Sequence, residues 1–126
     1  MKSNKYKSGF EAKIAKQIER KGVKVCYETQ TIKYVKPVTH HTYTPDFILP
    51  NGIIVETKGR LTLYDRQKHM LIKEQHPELD IRFVFMNANN KIRKGSKTTY
   101  KMWAEKYGFK FAEKTIPNEW YKEKKL

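Results

Sequence analysis

The stretch Thr44-Pro45-Asp46-Phe47-Ile48-Leu49-Pro50-Asn51-Gly52-Ile53-Ile54-Val55-Glu56-Thr57-Lys58-Gly59 constrains this chain more than any other. Two β-prone apolar runs flank Pro50-Asn51-Gly52, a turn signal that predicts an antiparallel hairpin. The runs also carry two carboxylates and an ammonium group, and an uncompensated ion inside a buried strand costs several kcal/mol. Turn length decides whether these charges meet. A two-residue Asn51-Gly52 loop would face Asp46 away from Glu56 and Lys58, because a one-residue slip moves every side chain to the other face. A three-residue loop, with Pro50 and Asn51 in a type I turn and Gly52 as a left-handed bulge, sets Asp46 opposite Glu56. Pro and Gly stand where that turn needs them. On this register Asp46, Glu56 and Lys58 share one face of the sheet.

Two carboxylates so placed can hold a divalent cation, and hard oxygen ligands select Mg²⁺ or Mn²⁺ over zinc, with the Thr57 carbonyl a further candidate ligand. A lysine two residues after a metal-binding Glu can orient or help deprotonate a water and can screen charge growing on a phosphate. That is the chemistry of metal-assisted phosphodiester hydrolysis. The other reading of the same residues is a Lys-Glu-Asp ion cluster on a solvated sheet face.

Charge selects the partner. Lys and Arg number 27 against 13 Asp and Glu, a formal net charge of +14, so the chain attracts polyanions. Nucleic acid is the expected partner. The basic residues are spread along the chain rather than gathered on one amphipathic helix, which argues against a membrane-surface protein. No apolar run approaches the roughly 18 residues of a membrane span, and the first residues lack the apolar stretch of a signal peptide. A cytoplasmic location is expected. The single Cys26 excludes an internal disulfide and a multi-cysteine zinc site, and is read as an inert strand residue.

Along the chain, residues 1–7 read as a basic arm, 8–121 as one domain and 122–126 as a charged tail. Phe10, Ile14 and Ile18 recur every four residues between Ser8 and Gly22, predicting a helix. Strands are expected over 23–27, 31–35, 43–49, 53–58 and 81–85, and helices over 63–75 and from Tyr100 to Tyr107. Phe109, Phe111, Ile116 and Trp120 are read as packing on that last helix. The pattern is α/β, a small mixed central sheet flanked by helices.

These segments carry a resemblance. Pro45-Asp46 followed by Glu56-Thr57-Lys58 resembles the signature of the PD-(D/E)xK nuclease superfamily. Ser8-Gly9 with Glu11, 41–47, 49–53, 55–59, 74–82 and Ile116-Pro117 with Glu119-Trp120 resemble, in the same order, the phage endonuclease I family of Holliday-junction resolvases. The resemblance implies a restriction-endonuclease-like core and a homodimer, dependent on Mg²⁺, that recognises four-way DNA junctions by shape and nicks two opposed strands to leave 5′-phosphates. Carried over, its catalytic set falls on Glu11, Asp46, Glu56 and Lys58, with Glu11 joining Asp46, Glu56 and Thr57 as metal ligands. From the residues alone, Glu11 reads as the fourth member of a capping box, bonding the Ser8 backbone N–H; one carboxylate oxygen could serve each role. The resemblance further implies exchange of segments between protomers, for which 35–41 would be the inter-lobe bridge. A general PD-(D/E)xK nuclease and a non-catalytic basic DNA-binding module are the alternatives.

Other positions are read more plainly. Lys91, Arg93, Lys94 and Lys97 form a candidate phosphate clamp, extended by Lys13, Lys16 and Arg20 on the polar side of the first helix. His40 and His41 have no cysteine at ligand spacing and are assigned to phosphate or solvent. His69 and His76 are expected on a helix surface, and Tyr100, Trp103 and Tyr107 in the core.

Overall fold

The computed structural model describes residues 5–36 and 39–124. Among these the order is α1 (Gly9–Arg20), β1 (Ile32–Lys36), β2 (Thr39–Tyr43), β3 (Phe47–Ile48), β4 (Ile54–Lys58), α2 (Leu63–Gln75), β5 (Ile81–Phe85), α3 (Tyr100–Lys106), β6 (Lys110–Glu113) and α4 (Asn118–Lys122). The fold is α/β with a mixed sheet in the order β3-β4-β5-β6, of which the β3–β4 pair is antiparallel and the other two are parallel. Each parallel pair requires a crossover, supplied by α2 and α3. β1 and β2 form a separate two-stranded antiparallel ribbon.

Side-chain alternation divides the core between the two faces of the sheet. Ile54, Ile81, Phe83 and Phe85 face Ile72 of α2, Trp103 of α3 and Tyr34 and Tyr43 of the ribbon. Phe47, Val55 and Val84 face Ile14, Ala15 and Ile18 of α1 and Trp120 of α4. β5 is buried on both sides, as a central strand with a parallel neighbour on each edge must be. Its one charged residue, Arg82, is 2% exposed and is compensated by Asp80, Glu123 and the face of Trp120. This clamp ties the end of α4 to the sheet.

The helices start and stop for local reasons. Ser8 caps α1, its Oγ accepting the Glu11 N–H at 3.1 Å. Thr62 and Asp65 form a full capping box at α2, and Thr99 caps α3. Gly22, just beyond α1, adopts φ +73°, and His76-Pro77 ends α2.

Two expectations change. Residues 23–27 form no strand: Tyr27 makes a single bridge to Phe47, flanked by the bonds Ile48 N–H to Cys26 O and Glu28 N–H to Asp46 O. The cause is β3, which Pro45 and Pro50 cut to two residues, too short to ladder a longer neighbour. Ile116 and Trp120, read as packing on α3, lie instead in the cluster of Ile14, Ala15 and Ile18 of α1, whereas Phe109, and Phe111 from β6, do pack with Tyr100, Trp103 and Ala104 of α3. Of the expected basic arm, residues 1–4 lie outside the described residues, while Tyr6 packs edge-on to Tyr27 at 4.5 Å between ring centroids. The expected bridge at 35–41 is occupied on both sides of positions 37 and 38, themselves outside the described residues, by the ends of β1 and β2, where Lys36 pairs with Thr39.

Candidate active site

The site begins at the turn. The Gly52 N–H donates to Leu49 O at 2.8 Å, the Leu49 N–H donates to Ile53 O at 2.8 Å, and Gly52 sits at φ +90°. These are the marks of a three-residue loop closing on a left-handed glycine. Phe47 therefore pairs with Val55 and Ile48 with Ile54, and the same register carries Asp46 to the level of Glu56.

Glu56 is 3% exposed. Its Oε2 accepts the Tyr43 O–H at 2.8 Å and the Asp46 backbone N–H at 2.9 Å, and its Oε1 lies 3.5 Å from His69 Nε2. Burial pushes its pKa up, but the hydrogen bond and charge of His69, together with Lys58, outweigh it, so the carboxyl sits below its ordinary value. Asp46 goes the other way. Its Oδ2 accepts the Thr57 N–H at 3.0 Å and the Thr57 hydroxyl at 3.1 Å, yet burial and then the negative charge of Glu56 push it up to about 8. Lys58 places Nζ 3.4 Å from Asp65 Oδ1. Burial would lower its pKa, but Glu56, Asp65 and Asp46 raise it further, so it remains an ammonium. Asp65, in turn, is held below its ordinary value: burial is outweighed by Lys58 and the Thr62 backbone.

Glu11 reaches the site from α1. Its Oε1 accepts the Lys7 N–H and the Tyr27 O–H, both at 2.9 Å, so its carboxylate bonds one residue upstream of the Ser8 N–H expected from a capping box. Burial pushes the Tyr27 phenol up, so it stays a donor. Glu28 completes the group, with its carboxylate 3.2 Å from Lys7 Nζ and its backbone at φ +49°, a left-handed conformation that costs a side-chain-bearing residue about 1–2 kcal/mol. Among the described residues, carboxylate oxygens of Glu11, Glu28 and Asp46 lie within 4.8 Å of one another.

The structure thus brings Glu11 and Asp46 together, with Glu56 and Lys58 beside Asp46. It turns the Glu56 carboxylate toward Tyr43 and His69, outside the group of three, and engages Thr57 through its N–H and hydroxyl. The fit to a cation is good on the Glu11–Asp46 side. Mg²⁺ binds oxygen at about 2.0–2.1 Å, so its ligand atoms stand roughly 3–4 Å apart, which three mutually adjacent carboxylates satisfy with small adjustment.

Relatives of known name bear on what such a site does. A family model described as phage endonuclease I matches residues 1–126. The chain belongs to the phage endonuclease I family. It is 58% identical over 120 residues to Endonuclease I of Escherichia phage T7, covering 95% of this chain and 80% of that protein. It is 55% identical over 120 residues to Endodeoxyribonuclease 1 of Enterobacteria phage T3, covering 95% of this chain and 79% of that one. Both relatives carry the name of an endonuclease.

Sequence reasoning missed four participants. His69 was expected on the surface of α2 and is 1% exposed; the signal was its place at i+3 between Arg66 and Ile72, both buried. Tyr43 and Tyr27 looked like ordinary strand aromatics, and Glu28 had no motif around it. His76 caps α2 half-buried, with its Nε2 2.7 Å from Lys33 O. His41 Nε2 lies 2.9 Å from the Thr39 hydroxyl. Tyr100 and Trp103 are core residues, and Tyr107 packs half-buried against Trp103.

Proposed function

We propose that this chain is a structure-selective endonuclease that resolves four-way DNA junctions by metal-dependent hydrolysis of two opposed strands. The observation that carries the reading is the register of the β3–β4 hairpin. It sets Asp46 beside Glu56 and Lys58 and opens the Asp46 carboxylate toward Glu11, in a chain whose relatives are named endonucleases.

Glu11, Asp46, Glu56 and Lys58 are the proposed catalytic residues. Glu11 and Asp46 would hold a divalent cation, Mg²⁺ or Mn²⁺, one or two per site, with Glu28 within reach and with Glu56 and Thr57 as the remaining expected ligands. The cation, when bound, supplies Lewis-acid activation of water and of the scissile phosphate. Lys58, kept protonated by three carboxylates, is suited to screening negative charge on the phosphate rather than to removing a proton from water. Tyr27 and the Lys7 N–H fix Glu11 from behind.

The DNA track is proposed along exposed cations. Lys13, Lys16 and Arg20 line the outer side of α1. Lys91, Arg93 and Lys94 line, with Arg60, a cavity of about 300 Å³, and Lys97 lies exposed in the same loop. Four cations around one hollow fit a phosphodiester.

The core is proposed to be restriction-endonuclease-like, spanning 8–121, and the working enzyme a homodimer in the host cytoplasm. Glu11 here meets Asp46 of its own chain; exchange through 35–41 would make the same contacts between protomers, since a swap reuses the contacts of the closed form.

Incubation with a four-way junction and with linear duplex of equal length, in Mg²⁺ or EDTA, tests the proposal. Cutting of the junction alone, only with Mg²⁺, is expected. Equal cutting of both substrates supports a general nuclease, and metal-independent binding without cutting supports a DNA-binding module. A mixed dimer of Glu11→Ala with Asp46→Ala tests exchange: shared sites leave one intact and give nicking of one strand, whereas self-contained sites give none.

A further inference from the structure

Beyond the four proposed catalytic residues, Glu56 is met on its buried side by two aromatic donors from different elements. Tyr43, fully buried at the end of β2, gives its hydroxyl to Oε2 at 2.8 Å. His69, buried on α2, directs Nε2 toward Oε1 at 3.5 Å. The two rings meet edge to face at 5.3 Å, and His69 is also packed edge to face against Phe83 at 4.9 Å. Apolar contacts therefore fix the plane of the imidazole.

The second ring nitrogen shows why this histidine is not ordinary core. Nδ1 is buried without a hydrogen-bond partner among the described residues. A buried polar atom left unsatisfied costs about 1–3 kcal/mol, and a phenylalanine would fill the same aromatic box without that cost. The ring's polar contact is spent on Glu56. A proton on Nε2 points at Oε1, so the one polar partner of the ring is a carboxylate oxygen that can accept it.

We propose that His69 is a positioning residue for the nuclease reaction: its Nε2–H, with the Tyr43 hydroxyl, locks the plane of the Glu56 carboxylate, whose Oε2 also accepts the Asp46 backbone N–H. The inference rests on the proposed metal-dependent cleavage, in which Glu56 acts. Partners of this kind, one shell behind a reacting carboxylate, typically cost 10–100-fold when removed. His69 does not touch substrate, so its loss acts on the chemical step and leaves DNA binding alone.

His69→Phe keeps the ring packing and removes the donor, whereas His69→Gln restores an N–H donor. For His69→Phe the expected result is a melting temperature no lower than wild type, unchanged affinity for a four-way junction in EDTA, and a single-turnover cutting rate in Mg²⁺ reduced 10–100-fold. His69→Gln is expected to regain part of that loss. A His69→Phe variant cutting at the wild-type rate overturns the proposal, as does a loss of rate matched by an equal loss of junction affinity. Should His69→Phe unfold, His69→Met, which fills the pocket without an N–H donor, is read by the same rate and affinity criteria. A readout independent of cutting is the long-range ¹H–¹⁵N spectrum of the His69 ring. A protonated Nε2 whose signal moves in Glu56→Gln supports the assignment; an unprotonated Nε2, or one indifferent to Glu56, overturns it. If wild type cuts no DNA in Mg²⁺, the proposed function has failed, whereas wild-type cutting with an indifferent His69→Phe fails this inference alone.

Discussion

Two antiparallel hairpins lie within thirty residues of each other in this chain and are built to opposite ends. The β1–β2 ribbon keeps most of β2 in solvent, and its edge is tied to α2 by Gln75, which both donates to and accepts from the Val35 backbone, and by His76. The β3–β4 hairpin is buried almost throughout, yet it is the one that carries Asp46, Glu56 and Lys58. The charge of Lys33 on the ribbon is solvated and costs little. Charge on the second hairpin is desolvated, and the fold compensates it with Tyr43, His69, Thr57 and Asp65. The proposed active site lies on the hairpin where the fold compensates buried charge, and the buried Arg82 clamp of β5 shows the same compensation used to tie α4 to the sheet.

The contrast predicts a steep gradient of effects. Glu56→Gln and Lys58→Ala are each expected to lower junction cutting by about 10³-fold or more while junction binding persists, the scale seen when a charge stabilising a transition state is removed. Gel-based single-turnover assays with parallel binding titrations check this. Either variant cutting at a normal rate would refute the site assignment.

Next in size is a pH effect. The unfolded chain releases the Asp46 proton near the ordinary 3.8, whereas the folded protein holds it to about 8. The folded state therefore binds more protons across this window, and stability in EDTA is expected to fall as pH rises from 4 to 8. Asp46→Asn is expected to flatten that slope in thermal melts, and Mg²⁺ to reverse it in the wild type. A wild-type melting temperature that climbs through this range in EDTA would contradict the environment described for Asp46.

Smaller still is the turn. Gly52→Ala places a side chain at φ +90° and is expected to cost about 1–2 kcal/mol in chemical denaturation, with cutting affected if the register slips. Smallest is the ribbon, where Gln75→Ala removes exposed hydrogen bonds to Val35 and is expected to cost under about 1 kcal/mol. A ribbon variant more damaging to stability than the Gly52 variant would invert the comparison.

Much of this was legible because it is local. Pro50-Asn51-Gly52 encodes a particular loop, the loop sets the register, and the register puts 46 and 56 at one level. Ser8 and the four-residue repeat of α1, and the His76-Pro77 stop of α2, depend equally on neighbours in sequence. β6 was missed because its pattern of Lys110, Phe111, Ala112 and Glu113 has no signal of its own; it becomes a strand by pairing with β5, 28 residues earlier. The 23–27 run failed as a strand for the converse reason, its partner being cut short by two prolines.

The positions of the acids and the lysine, and the turn that levels them, follow from the order of residues, because turn conformation and strand alternation are set over a few bonds. Which atoms each carboxylate meets does not. His69 comes to Glu56 from α2, Tyr27 to Glu11 from the segment after α1, and Glu28 to Asp46 across a chain reversal. These encounters exist only once helices have docked on both faces of the sheet, and burial and neighbouring charge then move one carboxyl up and the other down.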